Sequence, residues 1–125
     1  MHYCEGFVTN DISGHEYAHA VNYYSVLDAN GDPAGLTYAN ESGALNEASS
    51  DVFGEALEYY VTGSNDWLLG AGSPLGVMRS MSDPTDYTYT GDSGTVPYPD
   101  RYNSENLYCG TEDNGGVHIN SSVVN

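Results

Sequence analysis

Residues 14–21 read GHEYAHAV, and this short stretch carries most of what the sequence predicts about fold and chemistry. It contains the pattern HExxH, with His15, Glu16 and His19 in the three fixed positions. On a helix, residues four apart lie on one face about one turn from each other, so both imidazoles can bind the same metal ion. Glu16 lies on the flank of that face, where its carboxylate can take a proton from a metal-activated water without binding the metal.

The sequence around the motif predicts a helix over residues 10–25. The N-cap candidates are Asn10, Asp11 and Ser13, and the apolar residues at helical spacing are Ala18, Val21 and Tyr24. The following stretch, LDANGDPAGLTYANES, is dense in Gly, Asn, Asp and Pro. We therefore expect a loop from residue 27 to about residue 41.

A second helix is predicted from Ser42 to Val61, ended by Gly63. Its broad apolar stripe comprises Leu45, Ala48, Val52, Phe53, Ala56 and Leu57. A catalytic zinc site needs a third protein ligand, and this helix or its start offers Glu41, Glu47, Asp51, Glu55 and Glu58. Glu47 and Asp51 are one turn apart, so one could bind zinc while the other accepts a hydrogen bond from a ligating imidazole. Spacing alone does not choose between them, and it equally allows a solvated acidic face.

The remainder of the chain shows less regular patterning. Residues 82–108 contain three of the five prolines and five of the twelve tyrosines without periodicity, which predicts a long loop that is functional or pinned by ions or partners. The closing GGVHINSSVVN is typical of the entry to a third helix, and its abrupt end suggests a fragment.

Composition limits the partners that this chain can have. A length of 125 residues predicts a single segment, and 18 acidic residues against two arginines and no lysine give a formal net charge of −16. Nucleic acids and anionic membranes are therefore excluded as partners, and cations are favoured. No stretch has the length of a membrane span or the pattern of a signal peptide. Cys4 and Cys109 could form one long-range disulfide or remain two unrelated thiols.

Four blocks taken together resemble the thermolysin family of secreted neutral zinc endopeptidases. They are GHEYAHAV, NESGALNEASSDVFG, MRSMSDP and DNGGVHIN, in the order found in that family. The resemblance implies an α+β fold with a mainly helical zinc-binding core, long irregular loops pinned by calcium, and secretion. It covers residues 1–125 as the central catalytic part of the family enzyme, without the upstream β-rich region or the downstream helical domain.

The resemblance also implies a zinc site and its support. His15, His19 and Glu47 are expected to bind Zn²⁺, and Glu16 is expected to be the general base of peptide-bond hydrolysis. Two further residues on the second helix are expected to hold the ligands in place, Asp51 by orienting His15 and Asn46 by supporting His19. The substrate is then a peptide or protein.

Further catalytic residues follow from the other blocks. His118 is expected to stabilise the oxyanion of the tetrahedral intermediate, with Asp113 fixing its tautomer and Tyr38 assisting it. Arg79 is expected to hold the carbonyl of the residue after the scissile bond.

Calcium is a second metal that the resemblance implies. The acids that match family calcium ligands are Asp11, Glu58 and Asp66, whereas Leu68 and Ala71 replace two further glutamates. We therefore expect one calcium ion rather than two. Two other interpretations remain open: an acidic calcium-binding module in which HExxH is incidental, and a truncated remnant that binds zinc without catalysis.

Overall fold

Two long helices dominate the computed structural model, which describes residues 8–91 and 94–125. Helix α1 is Asn10–Ser25, helix α2 is Asn40–Thr62 and helix α3 is Asp113–Asn120. The strands are β1 (Leu68–Leu69), β2 (Arg79–Ser80), β3 (Thr88–Gly91) and β4 (Gly94–Pro97), and short 3-10 turns lie at Pro84–Asp86 and Ser121–Val123. The mainly helical α+β class predicted from the sequence is confirmed. His2 and Cys4, and with Cys4 the question of a disulfide, lie outside the described residues.

The two long helices occur where the sequence predicts them, with small differences at their ends. Thr9 is the N-cap of α1, and the Ser13 hydroxyl donates to the Thr9 carbonyl at 2.8 Å. The three predicted N-cap candidates are wrong, because all of them lie inside the helix. Helix α2 begins two residues before Ser42 and ends as predicted at Gly63, whose left-handed φ of 80° lets its N–H bond the Tyr59 carbonyl at 2.8 Å.

A close crossing of glycines joins α1 to α2. A Cβ at Gly14 would lie 2.9 Å from the Gly54 Cα, and a Cβ at Gly54 would lie 2.4 Å from the Asp11 carbonyl oxygen. Any larger residue at either position would push the helix backbones apart. The helices run antiparallel through this crossing, because His15 meets Asp51 on one side of it and Asp11 meets Gly54 on the other.

The apolar stripe predicted for α2 is not the face that α2 buries. Leu45, Val52 and Phe53 are exposed, and of the predicted stripe only Ala48 is fully buried. The buried face consists of small and polar residues: Gly43, Ala44, Asn46, Glu47, Ala48, Ser50, Asp51, Gly54 and Glu55. The predicted buried face of α2 is wrong because the contact between the helices is made by glycines and paired charges. A pattern of hydrophobic residues does not detect such a contact.

Short strands and turns arrange the rest of the chain around the helix pair. Strand β1 pairs antiparallel with β2, so that Leu69 faces Arg79, and β3 pairs antiparallel with β4 inside the region that the sequence predicts as loop. The connector between α1 and α2 folds back on α1, because the N–H groups of Ala34 and Gly35 both donate to the Val26 carbonyl, at 2.9 and 3.1 Å. Within the described residues, no helix is both long and apolar enough to cross a membrane.

The glycine crossing predicts a large loss of stability for Gly54→Ala. Alanine favours the helix over glycine by about 1 kcal/mol. Its Cβ would clash with the Asp11 backbone, however, so we expect the free energy of unfolding to fall by about 1–3 kcal/mol overall. Urea unfolding of the purified chain measures it. Ser49→Ala, at an exposed position on the same helix, is the matched control and should change stability by less than about 0.5 kcal/mol. Equal stability of both variants would contradict the role given to the crossing.

Candidate metal centre

Three side chains from α1 and α2 bring ligand atoms to one point. The Nε2 atoms of His15 and His19 are 3.0 Å apart, and Glu47 places Oε2 3.5 Å from His15 Nε2 and Oε1 3.3 Å from His19 Nε2. Donor atoms at 2.0–2.2 Å from a tetrahedral zinc ion lie about 3.3–3.6 Å from one another. The two Glu47 spacings lie in this range and the two imidazole nitrogens are slightly closer, so the three predicted ligands can converge on one ion.

The Nδ1 atoms of both imidazoles face oxygen atoms, and these contacts determine whether the Nε2 atoms can bind a metal ion. His19 Nδ1 lies 2.9 Å from the Asn46 side-chain oxygen, and His15 Nδ1 lies 2.8 Å from Asp51 Oδ1. The His15 ring N–H is not well aligned for a hydrogen bond, so that contact is chiefly electrostatic. With the proton on Nδ1, each Nε2 carries a lone pair. Two lone pairs and a carboxylate facing one another form a donor set that suits a cation.

The acids behind the imidazoles are buried and kept charged by their neighbours. Glu47 and Asp51 are both 0% exposed. Burial alone would raise the pKa of Glu47, but its neighbours His19 and Tyr38 lower it to about 2. Burial likewise opposes ionisation of Asp51, whose pKa is lowered to about 2 by His15 and Arg79. Both carboxylates are therefore anionic in the folded chain at neutral pH.

Arg79 supplies the positive charge that these buried acids need. Its Nε and Nη2 donate to the two Asp51 oxygens at 2.8 and 2.6 Å, and Nη2 lies 3.3 Å from Glu47 Oε2. Burial lowers the pKa of Arg79, but the bond to Asp51 outweighs this and the net direction is upward. Arg79 is only 6% exposed and is not among the residues lining the cleft at the imidazoles. Its expected contact with a substrate carbonyl therefore stays a prediction.

His118 and Tyr38 reach the same point from two other segments. Tyr38 donates a short hydrogen bond to Glu47 Oε1, and its hydroxyl is 3.2 Å from His118 Nε2. His118 Nδ1 lies 2.6 Å from Asp113 Oδ1, and its backbone N–H bonds Asp113 Oδ2 at 2.9 Å. Burial and Glu47 raise the pKa of Tyr38, so the phenol keeps its proton. The structure thus brings these three residues together as predicted.

The DNGG sequence explains how His118 reaches the cleft. Asn114, Gly115 and Gly116 have φ values of 53°, 87° and 76°, so regular helical geometry begins only at Val117. A Cβ at Gly115 would lie 2.3 Å from the Asn40 side-chain oxygen, and one at Gly116 would lie 2.5 Å from the Tyr108 ring. Only glycine suits both the left-handed backbone and the close approach.

A cleft of ≈ 520 Å³ opens onto the ligand atoms. Its lining residues are His15, Glu16, His19, Asn22, Tyr23, Ala34, Gly35, Leu36, Thr37, Tyr38, Asn46, Glu47 and His118. Glu16 is half-buried at its edge. A cleft of this size holds a small ligand or a few residues of a peptide.

Two supporting residues escaped the sequence-based prediction. Ser50 Oγ lies 3.2 Å from His19 Nδ1, and Asn22 Oδ1 accepts from the Leu36 N–H at 3.0 Å and from Asn46 Nδ2 at 3.4 Å. Asn22 thereby ties the α1–α2 connector to the residue that supports His19. Helical periodicity could have found both, since Asn22 lies one turn after His19 and Ser50 one turn after Asn46.

A second acidic cluster lies at the far end of the helix pair. Glu55, Glu58 and Asp66 can each place one carboxylate oxygen so that all three atoms lie within 4.8 Å of one another. The calcium prediction named Glu58 and Asp66 correctly as neighbours. Asp11 is buried close by but is not one of the three convergent residues, and Glu55 takes its place.

Comparisons with known proteins agree with this geometry. The family described as "Thermolysin metallopeptidase, alpha-helical domain" matches residues 34–125. Over 120 residues the chain is 45% identical to thermolysin of Alicyclobacillus acidocaldarius subsp. acidocaldarius and to bacillolysin of Bacillus caldolyticus, which covers 92% of this chain but only 18% and 19% of those proteins. A solved structure of the precursor of protealysin, a metalloproteinase from Serratia proteamaculans, aligns with a TM-score of 0.69 and 34% identity, covering 91% of this chain and 35% of that one.

The contact between Asn46 and His19 predicts a weaker zinc site in Asn46→Ala. Without its amide oxygen the imidazole loses the partner that holds Nε2 toward Glu47, and we expect zinc affinity to fall by roughly 10–100-fold. Competition with a chromophoric chelator measures the affinity. Ser49→Ala, with its side chain on the outer face, should bind zinc as the parent does. Unchanged affinity in Asn46→Ala would show that Ser50 alone orients His19.

Proposed function

The chain belongs to the thermolysin metallopeptidase family, and from that premise we propose that it is the zinc-binding catalytic segment of an endopeptidase that hydrolyses internal peptide bonds. The observation that carries this proposal is the convergence of His15, His19 and Glu47 in a cleft that also contains Glu16. Two imidazole nitrogens and one carboxylate, with a solvent-accessible side left open, form the donor set of a catalytic zinc site.

Glu16 is the general base in this proposal. A zinc ion held by His15, His19 and Glu47 supplies a Lewis acid and lowers the pKa of a water molecule in the cleft. Glu16 accepts a proton from the attacking water and delivers it to the nitrogen of the leaving amine. Its carboxylate can do this because it lines the cleft but stays outside the ligand set. No covalent bond between enzyme and substrate forms.

His118 and Tyr38 stabilise the negative charge that develops on the former carbonyl oxygen. Asp113 holds His118 Nδ1 and thereby turns Nε2 toward the cleft, while the Tyr38 hydroxyl stays protonated and can donate. Donors aimed at the transition-state oxygen are worth about 3–4 kcal/mol each in comparable enzymes. In this proposal Arg79 binds the carbonyl of the residue after the scissile bond. It remains paired with Asp51 and Glu47 as it does so.

The proposal also includes parts of the protein that lie outside residues 1–125. The chain spans less than a fifth of the length of the thermolysin relatives it matches. We place residues 1–125 as the central part of a longer secreted enzyme, whose upstream β-rich region and the remainder of the alpha-helical domain complete the cleft for a peptide or protein substrate. A calcium ion bound near Asp11, Glu58 and Asp66 stabilises the packing of α1 against α2.

Glu16→Gln tests the general base directly. The amide cannot accept the proton, while both imidazoles remain in place, so we expect unchanged zinc stoichiometry and a fall in hydrolysis of about 10²–10⁴-fold. Cleavage of an internally quenched peptide by zinc-loaded chain measures it, with the exposed Glu41→Gln as matched control. The parent chain should cleave slowly, because in this proposal regions outside residues 1–125 complete the cleft. A parent without any turnover would favour the interpretation as a zinc-binding remnant.

His19→Ala tests the metal ligands separately from catalysis. Removing one of three protein ligands should lower bound zinc, measured by elemental analysis, from one ion per chain to near zero at equal protein concentration. Calcium binding should persist, because its acids lie at the other end of the helix pair. Equal zinc content in parent and variant would exclude the proposed centre and leave the chain as an acidic calcium-binding module.

A further inference from the structure

The Asp51 carboxylate is a meeting point for side chains from three other segments. Its Oδ1 lies 2.8 Å from His15 Nδ1 on α1 and accepts from Arg79 Nη2 on β2 at 2.6 Å. Its Oδ2 accepts from Arg79 Nε at 2.8 Å and from the side-chain amide of Asn125 at 2.9 Å. A carboxylate has about four lone-pair sites, two on each oxygen. Each site therefore faces a donor, and one of these donors, Asn125, has no role in the proposed zinc centre.

Asn125 reaches Asp51 from the segment that carries His118. Helix α3 continues into a 3-10 turn, after which the Asn125 N–H bonds the Ser121 carbonyl at 3.3 Å. His118 and Asn125 are about two helical turns apart, so they lie on nearly the same face of this segment. Their partners on α2 are Glu47, whose Oε1 is 3.4 Å from His118 Nε2, and Asp51 one turn later. The segment thus contacts α2 at two buried acids.

The side-chain oxygen of Asn125 argues against a role in packing alone. This atom is buried and has no hydrogen-bond partner among residues 8–91 and 94–125. Burying an amide oxygen without a partner costs stability, so an apolar side chain of the same size would be the more stable choice. The property that distinguishes asparagine here is the N–H that Asp51 Oδ2 accepts.

From these observations we propose that Asn125 is a positioning residue of the zinc centre, which holds the Asp51 carboxylate in the orientation that His15 requires. The inference rests on the proposed function, because it needs His15 to be a zinc ligand. Arg79 bonds both Asp51 oxygens, but those two side chains could swing together about the Asp51 Cα–Cβ bond. Asn125 comes from a different segment and opposes that movement. A fixed Asp51 keeps His15 Nδ1 in place, and with it the direction of Nε2.

The segment does not depend on Asn125 for its attachment to the rest of the chain. Val117 is completely buried and packs on Gly43 of α2 so closely that a Cβ there would lie 2.4 Å from Val117 Cγ1. Farther along, the Ser122 hydroxyl donates to the Pro99 carbonyl at 2.7 Å. We therefore expect variants at Asn125 to fold, and their zinc binding can be compared with that of the parent.

The decisive variant is Asn125→Leu, because leucine is close to asparagine in size and shape but cannot donate a hydrogen bond. Zinc affinity, measured by competition with a chromophoric chelator, should fall about three- to tenfold, which is less than the 10–100-fold typical of residues that bond a ligand directly. In excess chelator the variant should melt at the same temperature as the parent or higher, because a buried oxygen without a partner has been removed. A residue that serves packing alone would give the opposite result, a lower Tm with parent-like zinc affinity.

Two further variants test whether the donated hydrogen bond is the cause. Asn125→Gln keeps an amide donor on a side chain about as large as leucine, so it should bind zinc more tightly than Asn125→Leu. Equal affinity of these two variants would overturn the proposal, because side-chain shape would then explain the loss. Val124→Ala, at an exposed neighbouring position, is the matched control and should bind zinc as the parent does.

The outcomes separate this inference from the proposed function. Parent-like zinc affinity in Asn125→Leu would overturn the role of Asn125 and leave the zinc centre standing, whereas a parent that binds no zinc would overturn both. The affinity measurement does not depend on turnover, so a parent that binds zinc without hydrolysing peptides still decides the role of Asn125. If Asn125→Leu does not fold, Asn125→Ala, which removes the amide without adding bulk, should show the same loss of affinity, and parent-like affinity in it would refute the proposal.

Discussion

The contact between Gly14 and Gly54 is the constraint on which the rest of the structure depends. Because neither residue has a Cβ, the backbones of α1 and α2 approach until the Gly54 position nearly touches the Asp11 carbonyl. This close approach fixes the antiparallel register, so that His15 meets Asp51 and His19 meets Asn46. The same register brings Asp11 to the end of α2 that carries Glu55. Two candidate cation sites thus lie along one seam, on opposite sides of one crossing.

The seam is unusual in being polar. Glu47, Asp51 and Glu55 are completely buried, while apolar residues such as Val52 and Phe53 face outward. Buried charges are tolerated only when they are paired. The pair Glu47 and Asp51 has basic partners, whereas in the described part of the chain Glu55 does not. Around Glu47 and Asp51, histidines and Arg79 keep the carboxylates ionised at low pKa. Among residues 8–91 and 94–125, no side-chain cation pairs with Glu55, and burial raises its pKa instead. A zinc ion at the proposed centre would therefore complete a site whose charges are already compensated, whereas a cation at the acidic cluster would supply compensation that its described neighbours do not.

The proposed catalytic groups come from segments that are distant in sequence but meet at one point. Tyr38 lies near the end of the α1–α2 connector and His118 follows the DNGG turn, yet their polar atoms lie 3.2 Å apart and both contact Glu47. The α1–α2 connector is linked to His19 by two side-chain amides: Asn22 bonds the connector, and Asn46 bonds both Asn22 and His19. Displacement of the connector would therefore be transmitted to His19, which links this loop physically to the proposed zinc centre.

The sequence by itself determined the two long helices, the mainly helical fold class and most of the residues at the proposed zinc centre. Helical spacing made His15 and His19 neighbours, and long motifs with local geometry identified Glu47, Asp51 and the DNGG turn. Only the tertiary structure decided which face of α2 is buried, since glycine contacts and charge pairing outweigh hydrophobicity there. Ser50 and Asn22 each lie one helical turn from a residue that the sequence had already identified, so helical spacing could have found them. Only the tertiary structure placed Glu55, rather than Asp11, in the convergent acidic cluster. That placement depends on the distance and register between two helices, which no periodicity within either helix specifies.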